Sequence, residues 1–242
     1  AEMNEAHDLA NFILGTKAQT LARLENLISL SKIEPQVSFT VSEWRYKQKE
    51  IISDIQKKFQ SKKLIIRSSA ISEDSFYASN AGTYLSILHI NSYDEISIIN
   101  SVNRVIGSYK DNNSANQVLI QSMIERTQAS GVIFTRTLSQ SAPYYVVNFD
   151  DSTYKTDSIT SGSSTNHKTL IVSRSDLENN KKHMPLVLSK LIPAIQEIEK
   201  LLDFSSLDIE FAIGSENEIH ILQVRPLVSE NYEIDNDEYT AA

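Results

Sequence analysis

Two short apolar segments near the C-terminal end of the chain carry charged and amide residues at alternating positions. The first segment is Asp208–Ile213 and the second is Glu218–Pro226. The four residues between them, Gly214-Ser215-Glu216-Asn217, are typical of turns, so the sequence predicts a β-hairpin. Because side chains alternate between the two faces of a strand, this hairpin restricts which residues can share a surface.

The predicted pairing places four polar side chains on one face of the hairpin. If Ile213 lies opposite Glu218, Asp208 pairs with Gln223 and Glu210 with Ile221. The polar residues on this face are Asp208, Glu210, Gln223 and Arg225, among Ile219 and Ile221. Carboxylate and amide oxygens suit Mg²⁺, and a guanidinium suits phosphate. The alternative is a partly solvated hairpin whose charges face water, and a slip of one residue would scatter the cluster.

The composition excludes several classes of protein. The chain has 242 residues, 40% hydrophobic and 22% charged, which fits one large globular domain or two lobes. A net charge of −8 argues against a general nucleic-acid or anionic-membrane binder, although a local phosphate site needs only a few cations. The absence of cysteine excludes disulfides and thiolate chemistry and fits a reducing cytoplasm. No membrane span or signal peptide is expected from the sequence.

Hydrophobic periodicity predicts helices and strands along the whole chain. Helices are predicted over residues 7–30 with a break at Gly15-Thr16-Lys17, over 42–60 and 92–110, and after Pro185. Strands are predicted at 37–41, 63–67, 84–90, 118–124, 131–136, 144–148 and 170–172. Residues 150–168 look like a loop, and the acidic tail from 229 is expected to be disordered or a linker.

Three further segments have the chemistry of a phosphate site. Lys17 follows Gly15 at a helix N-terminus, where the helix dipole favours anions, although a simple helix break with a surface lysine explains the same pattern. Arg67 ends a strand and precedes two serines, a combination that suits phosphate. Residues 72–81 are small and polar, as expected of a mobile loop, and Gly82 allows the backbone to approach a ligand.

Several common site types are absent from the sequence. The five histidines are scattered, with no pair at positions i and i+4, which argues against a histidine metal site. No nucleophile elbow, Walker A loop or GxGxxG motif occurs.

Six motifs follow one another in an order that resembles a known family. They are Gly15-Thr-Lys17-Ala; Arg67-Ser-Ser-Ala with Glu73-Asp74 and Ala81-Gly82; Gln121-Ser-Met; Ser130-Gly131-Val-Ile-Phe-Thr-Arg136; Asp208-Ile-Glu210; and Leu222-Gln223-Val-Arg225-Pro226. From about residue 12 to 228 the chain resembles the N-terminal ATP-grasp domain of the pyruvate phosphate dikinase, phosphoenolpyruvate synthase and rifampin phosphotransferase group. The resemblance implies an α+β fold with mostly antiparallel sheets. It also implies an N-terminal lobe (1–117), a C-terminal lobe (118–228), a nucleotide cleft between them, and a tail or linker (229–242).

The resemblance also implies roles for single residues. Lys17 and Arg67 would hold ATP phosphates, and Arg225 would face the transferring phosphates, so these three would carry catalysis. In the phosphate-covering loop, Gly82 would contribute its backbone and Ser86 its hydroxyl.

The remaining roles concern the base and the metal ion. Gln121 would lie at the adenine hinge. Glu210 and Gln223 would bind Mg²⁺, and Asp208 would support the metal.

Two departures from the family pattern indicate a branch. Residues 145–162 replace a Gly-rich stretch, and together with residues 35–44 they resemble the branch that contains the L-glutamine kinase of bacterial capsular phosphoramidate synthesis. The whole enzymes carry a swivelling domain with a phosphohistidine motif, which none of the five histidines here matches. The sequence therefore predicts the ATP-binding domain of a cytoplasmic histidine-relay phosphotransferase, with L-glutamine as the suspected acceptor. The alternatives are a non-catalytic nucleotide-binding module, or the same domain from a phosphoenolpyruvate synthase or rifampin phosphotransferase.

Overall fold

The computed structural model describes most of the chain as two compact units. It describes residues 14–71, 85–152, 168–177 and 184–227, and the short strands at 74–75 and 78–79. The first unit consists of Gly15–Ala22 and Glu34–Glu125, and the second unit contains the described parts of Ala1–Leu14, Arg23–Ile33 and Arg126–Ala242. Gly82 and the tail from residue 229 lie outside the described residues.

The first unit is built around a four-stranded antiparallel sheet. Its elements are α1 (Lys17–Leu24, the last two residues of which belong to the second unit), β1 (Gln36–Thr40), α2 (Val41–Phe59), β2 (Lys63–Ser69), β3 (Asp74–Ser75), β4 (Ala78–Ser79), β5 (Ser86–Asn91), α3 (Glu95–Gly107) and β6 (Gln117–Ser122). The strand order is β1-β6-β2-β5. Strands β3 and β4 pair with each other, within the segment predicted as a loop.

Helices α2 and α3 contribute to one hydrophobic core with one face of this sheet. Helix α2 begins at a capping box in which Thr40 and Glu43 each bond the other's backbone N–H, at 3.1 and 2.7 Å. The buried core residues are Phe39, Trp44, Ile52, Ile55, Phe59, Leu64, Ile66, Ile98, Val102, Val105, Val118 and Ile120. Strands β2 and β6 supply only even-numbered residues to this core, so their odd-numbered residues lie on the opposite face.

The second unit contains a five-stranded antiparallel sheet. Its elements are β7 (Ala129–Phe134), β8 (Tyr144–Asp150), β9 (Lys168–Ser173), a 3₁₀ turn (Leu186–Leu188), α4 (Leu191–Leu202), β10 (Leu207–Ile213) and β11 (Ile219–Pro226). The strand order is β11-β10-β7-β8-β9. The α+β class with antiparallel sheets is therefore confirmed.

A buried polar cluster connects the apolar face of this sheet to α4. The Tyr145 hydroxyl donates to Glu199 Oε2 at 2.7 Å. Burial raises the pKa of this tyrosine, and the nearby negative charge of Glu199 raises it further. Arg174 forms an ion pair with Glu199 at 2.7 Å and lies 4.5 Å from the centre of the Tyr145 ring. Each buried polar group is thus matched within the cluster, as burial of charge requires.

Most predicted elements are present, with shifted ends. Helix α1 ends at Leu24 rather than at residue 30, and residues 1–13 lie outside the described part. Strand β6, which a boundary at 117/118 would assign to the C-terminal lobe, pairs with β1 and β2 of the first unit. The predicted lobe boundaries stay a prediction. In the described residues, no helix is long and apolar enough to cross a bilayer.

Gly131 in β7 gives a test of the packing of the second sheet. A Cβ atom at this position would lie 2.2 Å from the Asn148 carbonyl oxygen and 2.9 Å from the Phe149 Cα atom. Strand β7 is held between β8 and β10, so we expect Gly131→Ala to lower the free energy of unfolding by about 3 kcal/mol. Urea denaturation measures the loss.

Gly107→Ala is the matched control for this substitution. A Cβ atom at Gly107, the last residue of α3, would meet nothing within 4 Å. The control should leave stability unchanged or raise it by about 0.5 kcal/mol, because alanine restricts the unfolded chain more than glycine does. Equal stability of the two variants would contradict the close contact of β7 with β8.

Candidate functional site

Helix α1 begins with a capping box formed by Thr16 and Gln19. The Gln19 N–H donates to Thr16 Oγ1 at 3.4 Å, and the Thr16 N–H donates to Gln19 Oε1 at 3.1 Å. This reciprocal pair satisfies two N–H groups at the helix start and makes Lys17 the first helical residue. The pattern Thr-x-x-Gln is readable in the sequence, and it favours a defined helix start over a simple break.

The start of α1 is attached to the ends of two strands of the first sheet. The Ala18 N–H donates to Ser69 Oγ at 2.9 Å, and Thr16 Oγ1 donates to Gln117 Oε1 at 2.5 Å. Ser69 and Gln117 are register partners on β2 and β6, so both contacts are on the same face of the sheet. Lys17 is only 4% exposed, which places an ammonium group at the positive end of a helix dipole.

Three further predicted residues lie on the same face of the first sheet. Arg67 on β2 pairs with Ser86 on β5, and Gln121 on β6 pairs with Ile65, two residues before Arg67. Gln121 also pairs with Gln36 on β1. We call the surface formed by these residues the polar face of the first sheet. Arg67, Gln36 and Gln121 are buried and Ser86 is exposed.

The register of the C-terminal hairpin differs from the predicted one. Asp208 pairs with Arg225 and Glu210 pairs with Gln223, so the predicted pairing of Asp208 with Gln223 is wrong. The shift at this end of the hairpin is two residues, which leaves each side chain on its predicted side. The four polar side chains therefore do lie on one face, which we call the acidic face of the second sheet.

A β-bulge at Leu222 causes the difference. The register changes between Glu210 and Phe211, so Leu222 has no register partner on β10. This extra residue reverses the alternation in the first part of β11. Ile219 and Ile221, which were predicted on the acidic face, are instead buried on the apolar face.

The same bulge moves His220 onto the acidic face. His220 pairs with Ala212, two residues from Glu210, so this histidine lies on the same face as Glu210 and Gln223. His220 is 6% exposed, and its Nε2 atom lies 3.4 Å from Glu218 Oε1. In the sequence, the adjacent apolar residues Ile221 and Leu222 interrupt the alternation of apolar and polar residues at the position of the bulge.

Asp208 and Arg225 form a buried ion pair within the acidic face. Arg225 donates from Nε and Nη2 to Asp208 Oδ2, at 2.8 and 2.5 Å. Burial raises the pKa of Asp208 to about 6, even though the adjacent Arg225 favours the charged form. The second oxygen, Oδ1, is buried and accepts no hydrogen bond from the described residues.

The oxygens of this face fit a magnesium ion. Glu210 and Gln223 lie directly opposite each other, and Asp208 Oδ1 lies on the same side two residues away. Among the described residues, no three His, Cys, Asp or Glu side chains could by themselves hold a metal ion. The available set is therefore two carboxylates and an amide, which are oxygen ligands of the kind that Mg²⁺ prefers.

Two residues that were not predicted as site residues extend this face across the sheet. Asn148 on β8 is separated from Glu210 by Val132 of β7, and it pairs with Thr169 on β9. Thr169 Oγ1 donates to Asn148 Oδ1 at 2.7 Å. The face thus has neutral polar groups on one side of its carboxylates.

The second unit also has a cavity that contains none of the predicted site residues. Its volume is about 520 Å³. It is lined by Arg126, Thr127, Gln128, Asp151, Val187 and Ser215. The predicted residues with described side chains thus lie elsewhere, on the two sheet faces and at the start of α1.

Known structures similar to this chain include several ligases. D-alanyl-alanine synthetase A from Vibrio cholerae O1 biovar eltor matches with a TM-score of 0.49 and 11% identity, over 96% of this chain and 62% of that chain. D-alanine-D-alanine ligase from Helicobacter pylori matches with a TM-score of 0.48 and 12% identity, over 93% of this chain and 56% of that chain. A Chryseobacterium gregarium RiPP-associated ATP-grasp ligase matches with a TM-score of 0.40 and 13% identity, over 92% of this chain and 50% of that chain. The chain thus spans 50% to 62% of the length of these structures.

Sequence comparison gives the family directly. No curated protein sequence matches the chain significantly. Residues 18–241 match the family model described as the pyruvate phosphate dikinase AMP/ATP-binding domain. This match covers nearly the whole chain and confirms the predicted ATP-grasp class. The chain belongs to the pyruvate phosphate dikinase AMP/ATP-binding domain family.

Proposed function

We propose that this chain binds Mg-ATP and prepares its phosphates for transfer. The main support for this proposal is that one sheet face contains Asp208, Glu210, Gln223 and Arg225. Burying charged side chains opposes folding unless they are paired or bind a ligand. A divalent cation with attached phosphates would satisfy both the carboxylates and the guanidinium.

The first unit contains further residues that we propose as nucleotide contacts. Lys17 and Arg67 would bind the phosphates, because a buried ammonium at a helix start and a guanidinium both favour phosphate oxygens. Gln121 would contact the adenine, and Ser86 would contact the phosphates together with the backbone of Gly82. Glu210 and Gln223 would bind Mg²⁺ with support from Asp208.

The reaction we propose is a histidine-relay phosphoryl transfer. A phosphoryl or pyrophosphoryl group of ATP would pass to a histidine on a swivelling domain, with AMP as the final nucleotide product. Transfer to a small acceptor would complete the reaction, so that ATP, water and acceptor give AMP, phosphate and phosphorylated acceptor. Lys17, Arg67 and Arg225 would act by positioning the phosphates and neutralising the charge that develops on them.

The acceptor we propose is L-glutamine, phosphorylated on its amide nitrogen in the cytoplasm. This choice rests on the resemblance of residues 35–44 and 145–162 to the glutamine kinase branch, and the cysteine-free sequence fits the location. Phosphoenolpyruvate synthase and rifampin phosphotransferase are the alternatives within the family. A non-catalytic nucleotide-binding module is less favoured, because such a module has no need for a full set of metal-binding oxygens.

Removal of the Glu210 carboxylate tests the metal assignment. We expect Glu210→Ala to weaken magnesium-dependent ATP binding at least about tenfold, because the variant lacks a ligand to the metal. Titration calorimetry with ATP, with and without Mg²⁺, measures this effect.

Glu216→Ala is the control for charge. Glu216 is exposed in the turn of the same hairpin, so its removal changes the net charge equally without touching the acidic face. The control should bind Mg-ATP like the unchanged chain. If Glu210→Ala also kept full affinity, the metal assignment would be wrong.

The chain by itself should bind ATP without completing a kinase reaction. Two of its histidines are described with their surroundings, and neither is suited to relay a phosphoryl group. His89 is an exposed residue within β5, and His220 is buried beside Glu218. We therefore expect no AMP from ATP and glutamine until the swivelling domain is added, as followed by chromatography of the nucleotides.

The variant His220→Gln shows whether His220 is responsible if the chain alone forms AMP. AMP formation by the chain alone would contradict the relay. If that activity disappeared in His220→Gln but persisted in His89→Gln, His220 on the acidic face would be the acceptor. Mass spectrometry of the products with the full enzyme then compares glutamine with pyruvate and rifampin as acceptors.

A further inference from the structure

Gln36 is a buried amide on the polar face of the first sheet that the proposed ATP contacts do not include. It is the first residue of β1 and is 8% exposed. Its Oε1 atom is buried and accepts no hydrogen bond from the described residues. A buried carbonyl without a donor destabilises the folded chain, so its presence at this position requires an explanation.

The backbone around Gln36 is held firmly. Its own carbonyl oxygen accepts from Lys58 Nζ at 2.7 Å. The preceding residue, Pro35, accepts from the Ser122 N–H at 3.4 Å, and Ser122 Oγ donates to Glu34 Oε2 at 2.6 Å. The backbone position of Gln36 is therefore held by contacts that its side chain does not make.

The neighbours of Gln36 indicate what the amide can bind. It lies directly opposite Gln121, the residue expected to contact adenine. Arg67, expected to contact phosphate, is on the same face and two residues further along β2 than Ile65, the register partner of Gln121. The predicted base contact and the predicted phosphate contact thus follow each other along this face, with Gln36 at the end where the base would lie.

We propose that Gln36 recognises the base of the bound nucleotide through the 6-amino group of adenine. A glutamine amide offers one acceptor and one donor side by side, which matches an amino group next to a ring nitrogen. Rotation about the last side-chain bond exchanges Oε1 and Nε2, so either atom can be presented. This inference rests on the proposed function, because it assigns a base-recognition residue to the ATP site.

Binding of two nucleotides to the full chain tests the proposal. The probes are ATP and the triphosphate of purine riboside, in which hydrogen replaces the 6-amino group. We expect the unchanged chain to bind ATP about tenfold more tightly than this analogue. In Gln36→Leu this preference should disappear, because the affinity for ATP falls while that for the analogue stays the same.

Two controls distinguish a loss of base recognition from a loss of folded structure in Gln36→Leu. Ser38→Ala removes a hydroxyl from an exposed position two residues along β1 and should keep the tenfold preference. Gln36→Leu should melt at the same temperature as the unchanged chain or higher, because leucine removes a buried polar atom that has no donor.

The outcomes are distinguishable. Loss of the preference in Gln36→Leu alone supports base recognition by Gln36. A preserved tenfold preference in Gln36→Leu overturns it, and so does an equal loss of affinity for both nucleotides with a lower melting temperature. Failure of the unchanged chain to bind either nucleotide overturns the proposed function and this inference together.

Discussion

The single extra residue in β11, Leu222, determines which side chains the second sheet presents on each face. Before the bulge, Ile219 and Ile221 are buried on the apolar face, and after it Gln223 and Arg225 are on the acidic face. In a strand of strict alternation these four residues would share one side. Either the core would lose two isoleucines or the carboxylates would lose their polar partners, so the bulge is what allows one strand to serve both surfaces.

The ion pair within the acidic face shows the energetic cost of such a surface. Burial disfavours the charged form of Asp208, and the two hydrogen bonds from Arg225 offset that effect only in part. Removing both groups in favour of apolar side chains is often neutral or stabilising in buried pairs. The pair is therefore better explained by what its groups can bind than by a contribution to the stability of the hairpin.

The sequence predicts the elements well and the details of the hairpin poorly. The placement of Asp208, Glu210, Gln223 and Arg225 on one face was predictable, because an even shift of register conserves the face of each residue. The predicted register did not include the bulge, because it assumed strict alternation, although the adjacent apolar residues Ile221 and Leu222 interrupt the alternation at this point. The start of α1 could have been predicted from the capping box at Thr16 and Gln19. The burial of Gln36 could not have been predicted, because a polar residue at the start of a strand is usually exposed. Only the packing of β1 buries this side chain.

The polar face of the first sheet and the acidic face of the second sheet have opposite charge character. The first has the cations Lys17 and Arg67, and the second has carboxylates and only one guanidinium. With a net charge of −8, the chain as a whole repels a polyphosphate, so binding depends on local cations. Buried cations are screened by salt much less than exposed ones. Two nearly buried cations can therefore outweigh the repulsion from a surface whose charges are mostly solvated.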